Sequence, residues 1–516
     1  MKPENPVKTF PLGIIDLGAH SARLEIYQQG PEGLSGPLES LDLPVHLGQD
    51  VFAKGAISSD SIETITAIMK DFRIKMREYG VKKYRAIATS AVREAQNKDI
   101  FVDRIRSVCN IRMEILETCR ESRLMYLALK NDLKDELKLD KHDVFYLTLG
   151  AGSSNVAFSR NGNLLEAKMF NFGTMRLREE AIDSGNTTEY LKGLIDTFAE
   201  SLERLLAESR NDKKADREPH FVCAGAVVRL LLGIVNRNRK VESDFISLKE
   251  LNELTDKLGS GKKYRVDASN LPIPFLEESA ELSLQLIRQI CCDFGFTGVH
   301  AAKVSTRQAL VEDMIRDLLE EEDPFLNDMI SAALAIGAKY DYEDDHAANV
   351  SKLSMKIYEA TRFIHRLEGR CGILLHIAAI LHDIGRFVDP QKHHKHSFYL
   401  ISNSQMPGLS EEESAIVALV ARYHRKAEPK TSHPDYMQLS SESKVVVCKL
   451  AAILRVADAL DRGHHGKFTR SKIKISRGKL LIEAPDKYGE YSLERIFLKK
   501  KQGMFTSIFS LKPEIN

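Results

Sequence analysis

No stretch of about eighteen apolar residues occurs anywhere in this 516-residue chain, so no segment has the length of a membrane-spanning helix and no membrane partner is expected. Met1 to Phe10 carry no long apolar run behind their lysine, which argues against a secretory leader. Cysteine is sparse: seven residues lie scattered, only Cys291 and Cys292 are near neighbours, and there is no CxxC pair. That excludes a zinc ribbon or a disulfide framework and points to a reducing cytoplasm. Charge of one sign is also missing, since 74 Lys/Arg face 73 Asp/Glu for a net +1; no specific nucleic-acid partner follows from that balance. A complete nucleotide-binding P-loop is absent too. Gly259-Ser260-Gly261-Lys262-Lys263 has Asp256 where the first glycine belongs and no Ser or Thr after Lys262, so it reads as a loop.

The composition that is present, 43% hydrophobic and 28% charged, is that of a globular protein, and the length asks for three or four domains. Gly13 to Gly18 leads through Ser21 into Arg23-Leu24-Glu25-Ile26-Tyr27, the pattern of two strands joined by a tight turn. A helix follows from Ser59 to Tyr79, with Ile62, Ile65, Ile68, Met69, Phe72 and Met76 on one stripe, and then a strand, Tyr84 to Ala88. Strand, helix, strand in this order predicts an α/β domain. The hairpin recurs at Phe145 to Phe158, which aligns Gly150 with Gly18 and Ser153 with Ser21. A repeat at this distance implies two similar half-domains facing a cleft, where glycine turns aim backbone N–H groups and a hydroxyl at a phosphate.

The polar stretch from Glu208 to Glu218 reads as a surface loop, and the acidic run Glu320 to Asp323 before Pro324 marks a domain boundary. Helical periodicity fills the chain from there to about residue 460. The tail returns to alternation at Ile473, Ile475, Leu480 and Ile482, then Ile496 and Leu498, which predicts a small strand-rich module. Residues 461 to 516 hold 13 Lys/Arg against 6 Asp/Glu, a surplus of 7 that either steers a polyanion or forms a solvated face.

Eleven of the sixteen histidines lie after residue 340. His346, the doublet His382-Asp383 and Asp458 are spaced so that they resemble the HD superfamily of metal-dependent phosphohydrolases, and His396 and His424 resemble the extra ligands of its dinuclear members. Imidazole and carboxylate suit a borderline or hard divalent ion, Mn or Fe being the candidates here, provided ligands converge from several helices.

The paired glycine turns, Ala88-Thr89-Ser90-Ala91-Val92-Arg93-Glu94-Ala95 and Phe172-Gly173-Thr174-Met175-Arg176-Leu177 together resemble the exopolyphosphatase/guanosine pentaphosphate phosphohydrolase (Ppx/GppA) family. So do the stretches from His393 to Ser397 and from Arg422 to Lys426, which are similar to the long bacterial exopolyphosphatases with an HD-like domain. The resemblance implies an α/β plus α architecture: two actin-like (ribonuclease-H-like) domains at 1–133 and 134–318, an all-helical HD-type domain at 319–465, and a small C-terminal α+β domain at 466–516. It implies release of terminal phosphate from inorganic polyphosphate or a guanosine polyphosphate, a divalent metal (Mg or Mn), and a homodimer. Asp16 and Glu121 are the implied catalytic carboxylates, with phosphate held by Gly18, Ser21, Arg93, Gly150, Gly152, Ser153 and Gly225. Thr148 and Asn155 stand where the family pattern has acidic residues, which predicts a weakened metal seat in the N-terminal cleft. Two rivals follow: hydrolysis at the HD site with the actin-like pair as a sensor, and a non-catalytic polyanion-binding regulator.

Overall fold

The computed structural model describes residues 10–30, 33–177, 185–211, 219–237, 239–259, 273–319, 323–367, 370–404, 406–485 and 490–516. Residues 260–263 of the P-loop-like run, 212–218 of the polar stretch and 320–322 of the acidic run lie outside the described residues. The chain divides into two compact units, 1–163 with 167–323 and 164–166 with 324–516. No described helix is long and apolar enough to cross a membrane.

In the first unit, β1 (Phe10–Leu17), β2 (Ser21–Gly30) and β3 (Gly33–Pro44) form an antiparallel meander, and β4 (Lys83–Ala88) and β5 (Met113–Ile115) add in parallel beside β1. The order β3-β2-β1-β4-β5 is the one expected of a ribonuclease-H-like lobe. Ile15, Leu24 and Ile26 bury one face of this sheet against Ile65, Met69, Phe72 and Met76 of the helix Ser59–Glu78. That helix starts cleanly because Ser58 accepts from the Ser61 N–H at 3.3 Å.

The second sheet repeats the plan. β6 (Asp143–Leu149), β7 (Ser154–Arg160) and β8 (Asn163–Phe170) form the meander, β9 (His220–Gly225) and β11 (Gly298–Ala302) extend it in parallel, and β10 (Phe245–Ser247) adds an antiparallel edge. The repeat read from the two glycine turns is therefore a repeat of topology. Mixed sheets with helices make up the whole unit.

The second unit is helical around Ser441–Leu460, whose residues from Leu450 onward are all buried. Packed on it are the helices Asp344–Ala360, Cys371–Leu381 and Glu411–Tyr423, with His393–Ser402 packed on Glu411–Tyr423, which is opened by a Ser410/Glu413 capping box. A three-stranded sheet closes the chain: β12 (Ile473–Ser476), β13 (Lys479–Ile482) and β14 (Lys512–Ile515). The alternation expected at Ile496 and Leu498 is instead part of a helix, Ser492–Phe509. β13 and β14 run parallel, and a parallel pair needs a crossover, which this helix supplies. Its buried residues, Glu494, Leu498, Met504, Phe505 and Phe509, follow a helical period, and Ile496 is exposed.

Candidate functional site

The β1–β2 and β6–β7 turns are built alike. Gly18 N–H donates to the Ser21 carbonyl at 2.9 Å, and Gly150 N–H donates to the Ser153 carbonyl at 3.0 Å. Their remaining carbonyls are spent on the framework: Ala19 and His20 accept from the Gly48 and Val45 N–H at 2.9 and 2.7 Å, and Gly150 and Ala151 accept from Thr174 and Met175 at 2.9 and 3.0 Å. Both turns line one cavity of about 450 Å³ within the first unit, together with Asp16, Glu121, Thr148, Gly225, Arg229 and Arg307. Gly225 caps the helix Ala226–Asn236 at φ 145°, and a Cβ there would lie 2.4 Å from the Leu149 carbonyl oxygen. Only glycine satisfies both demands.

Glu121 stands in the first turn of the helix Thr118–Leu137, where the helix dipole favours a carboxylate. Arg93 Nη1 holds it at 3.2 Å while also donating to the Leu116 carbonyl at 2.7 Å. Burial pushes the Glu121 carboxyl up against the pull of Arg93, and the nearby Asp16 carboxylate adds to the rise. Asp16 lies 3.5 Å from Arg307 Nη1, and Arg307 Nε donates to Glu25 at 2.7 Å. Arg229 donates to the Val304 carbonyl at 3.2 Å. Its pKa is lowered by burial and then by the neighbouring Arg307 and Arg23 guanidiniums, so Arg229 is a buried cation whose charge an anion would relieve.

The cavity does not fit a divalent ion. The register pairs Thr148 with Asn155 as it pairs Asp16 with Arg23, so the second turn offers two neutral side chains. Thr148 Oγ1 is buried with no hydrogen-bond partner, and Asn155 Oδ1 accepts from the Ser122 hydroxyl. Asp16 is already committed to Arg307. Hard cations take carboxylate-rich oxygen sets, and among the described residues no group of three ligating side chains forms here.

The second unit has such groups: His346, His382 and Asp458 converge, as do His382, Asp383 and His424. Three imidazoles are oriented by one device, an Nδ1 contact to the carbonyl three residues back: His382 to Ala379 at 2.8 Å, His393 to Pro390 at 2.8 Å, and His424 to Ala421 at 2.6 Å. The carbonyl requires a proton on Nδ1 and leaves Nε2 as a lone-pair donor. His346 uses Asp461 instead, at 2.8 Å, and Asp458 stands on the same helix face one turn earlier. Burial lowers the pKa of His382 and His424, which keeps them neutral. His346 Nε2, His382 Nε2 and Asp383 Oδ1 are buried without hydrogen-bond partners. Orphaned atoms gathered in two adjoining groups that share His382 are what a metal cation satisfies, so this donor set fits a divalent ion.

Several expectations move. His396 joins neither cluster; the place beside Asp383 and His424 is held by His393, at 3.2 Å from each. The reason is helical register. Ser397 accepts from the Gly385 N–H at 2.9 Å and donates to the His382 carbonyl at 2.7 Å, so the face of the helix carrying 393 and 397 meets the doublet and position 396 falls to the flank. Gly152 does not line the cavity and instead packs under Phe52 and Ser90. Arg93 stands behind Glu121, outside the lining. Asp16, Gly18, Ser21, Gly150, Ser153, Glu121 and Gly225 all line it. Arg229, Arg307, Asp461 and Lys501 escaped the sequence reading. A signal existed only for Lys501, a lysine on the apolar stripe between Leu498 and Phe505.

Comparison with known proteins gives matches to the Ppx/GppA phosphatase family over residues 29–271 and to Ppx/GppA phosphatase, domain III, over residues 330–500. A guanosine-5'-triphosphate,3'-diphosphate pyrophosphatase of Photobacterium profundum is 21% identical over 488 residues, covering 93% of each chain. One from Pseudoalteromonas translucida is 20% identical over 471 residues, covering 89% of this chain and 87% of its own. Among solved structures, an exopolyphosphatase from Cytophaga hutchinsonii is 20% identical with a TM-score of 0.49, over 60% of this chain and 98% of that one. A Ppx/GppA family member from Aquifex aeolicus is 18% identical with a TM-score of 0.44, over 61% of this chain and all of its own.

Proposed function

The chain belongs to the Ppx/GppA phosphatase family, and from that premise we propose that it is a phosphohydrolase of phosphoric anhydrides, releasing terminal phosphate from inorganic polyphosphate or guanosine pentaphosphate in the N-terminal cleft. One observation carries this reading: two independently built glycine turns and the buried Glu121 line the same cavity. The N–H edges of the turns, with Ser21 and Ser153, receive the terminal phosphate oxygens. Arg229 and Arg307 neutralise the charge that develops on them. Glu121, oriented by Arg93, takes a proton from water as the water oxygen bonds to the terminal phosphorus and the bridging P–O bond breaks, the electron pair leaving with the shortened chain. Arginines carry the countercharge because the cleft lacks the carboxylates for a metal seat.

A second reading, a metal-dependent phosphohydrolase centred on His382-Asp383, is favoured by the orphaned donors of the second unit. His346, His382, Asp383, His393, His424 and Asp458 would hold Mn or Fe. Such an ion, when bound, lowers the pKa of water and polarises a phosphoryl oxygen. The residues' part is to orient: Asp461 fixes the His346 ring, and the carbonyls of Ala379 and Ala421 fix the other two.

The test is phosphate release from long-chain polyphosphate and guanosine pentaphosphate by wild type, Glu121→Gln, and the double variant His382→Ala/Asp383→Ala. Loss of release in Glu121→Gln alone supports the cleft. Loss in the double variant alone transfers the chemistry to the helical centre. No release by wild type with retained polyphosphate binding makes the protein a regulator.

A further inference from the structure

We propose that the helical centre takes a single divalent ion, caged by His382, Asp383, His393 and His424, and that the ammonium of Lys501 stands in for a second cation at Asp458. The inference rests on the metal-site reading of that centre and goes beyond it by assigning which half is filled by metal and which by protein.

Asp383 Oδ1 lies 3.6 Å from His382 Nε2, 3.2 Å from His393 Nε2 and 3.5 Å from His424 Nε2, and the two latter nitrogens are 3.2 Å apart. Four ligands bonded at about 2.1 Å in a tetrahedron are separated by about 3.4 Å, so these four edges already match a bound ion. The protonation pattern agrees. His393 and His424 each turn Nδ1 to a backbone carbonyl, which leaves two Nε2 lone pairs facing each other and a carboxylate oxygen across a buried space. The Arg425 guanidinium lies 3.3 Å from the same Nδ1 of His393, where two N–H groups would meet without a lone pair, so the shorter contact to the Pro390 carbonyl, 2.8 Å, sets the tautomer. With both Nδ1 atoms protonated, no hydrogen is left between the two Nε2 atoms, and their lone pairs repel unless a metal cation or an added proton lies between them.

The other half of the centre is furnished differently. Asp458 Oδ1 lies 3.7 Å from His346 Nε2, and its Oδ2 is bonded to the ammonium of Lys501. Lys501 comes from the crossover helix Ser492–Phe509, where it continues the buried stripe of Leu498 and Phe505, and its side chain is only 11% exposed. Lysine is almost never placed on a buried stripe without a partner, and this one is aimed at a carboxylate that would otherwise ligate metal. A divalent ion and an ammonium on one buried carboxylate repel strongly in so poorly solvated a place, so the Asp458 half is already charge-balanced and takes no ion.

The test counts ions. Full-length protein loaded with Mn²⁺ and desalted is measured by elemental analysis and electron paramagnetic resonance. Wild type should retain one Mn²⁺ per chain with an uncoupled six-line spectrum, and His393→Ala should lose it while His346→Ala keeps it. Lys501→Met should rise to two ions with an exchange-coupled spectrum, and Lys501→Gln, which preserves a polar neighbour for Asp458, should do the same where the methionine variant does not fold. Two coupled ions in wild type, one ion in both Lys501 variants, or an ion lost with His346 rather than His393 would overturn the proposal yet leave a metal centre standing. No retained metal in any of the proteins would overturn the metal-site reading itself.

Discussion

Replacing Asp313 by alanine should loosen the framework of the cleft more than any substitution inside it. The Asp313 side chain, 6% exposed on the helix Thr306–Leu319, receives Arg85 at 2.9 Å, Arg316 at 3.2 Å, Arg123 at 3.5 Å and Arg120 at 3.6 Å. Arg85 belongs to β4, and Arg120 and Arg123 flank Glu121, so one carboxylate ties the Glu121 helix to the sheet and to the helix that begins beside Arg307. Removing one partner of a buried ion pair costs about 3–5 kcal/mol. Arg85 and Arg120 keep Glu114, and Arg123 keeps Asp323, which puts the effect at the lower end, near 3 kcal/mol. At roughly 1.5 °C per kcal/mol, from about 2.1 cal/mol/K per residue over a unit this large, the thermal transition should fall by about 4–5 °C in calorimetry, with faster hydrogen exchange across Thr118–Leu137. The pH dependence gives a second check. Burial works against the Asp313 carboxylate, but Arg85, Arg123 and Arg120 together hold its pKa below the usual value. Its stabilisation is therefore complete above the unfolded value near about 4 and is lost as pH falls through the lower folded value. The gap between wild type and Asp313→Ala should close in acid. A loss under about 1 kcal/mol at pH 7, or a gap that persists at pH 2, would refute the reasoning.

Three further outcomes are expected. Gly385→Ala places a Cβ 2.2 Å from the His393 carbonyl oxygen and 2.3 Å from the Ser397 nitrogen; backbone cannot yield cheaply there, so His393 is displaced and Mn²⁺ affinity by titration calorimetry should fall by about tenfold or more, an unchanged affinity counting against the cage. Thr148→Asp with Asn155→Glu supplies the missing carboxylates and should make phosphate release responsive to Mg²⁺, whereas an unaltered Mg²⁺ dependence would show that these positions do not shape the seat. Because burial raises the Glu121 carboxyl and a base must be unprotonated, kcat/KM for polyphosphate should decline on acidification at a pH above the ordinary glutamate range, and a profile that stays flat through that range would remove Glu121 from the role of base.

Local chemistry made part of this legible. The Gly18 and Gly150 turns announced a duplicated hairpin because strand alternation and a glycine turn are written in adjacent residues. The His382-Asp383 doublet announced a ligand set because such pairs are rare and chemically specific. The helix at Ser492–Phe509 was missed because two alternating apolar residues, Ile496 and Leu498, fit a strand as well as a helix, and the parallel pairing of β13 with β14 that demands a crossover is a long-range fact. His393 and His396 are equally plausible as text; Ser397 settles which face meets the doublet, through bonds to residues 382 and 385.

By itself, then, the sequence determined the repeat, the glycine turns, the neutral side chains Thr148 and Asn155 at the second turn, and the residue types of the candidate metal centre, since each is written in short local motifs. Tertiary structure alone decided that Arg229 and Arg307 meet at the cleft with Asp16 and Glu121, that four arginines meet on Asp313, and that Lys501 reaches Asp458 across 43 residues of chain. These are charges brought together from distant segments in poorly solvated surroundings. Their energies depend on separation and burial, quantities that exist only once the chain is folded.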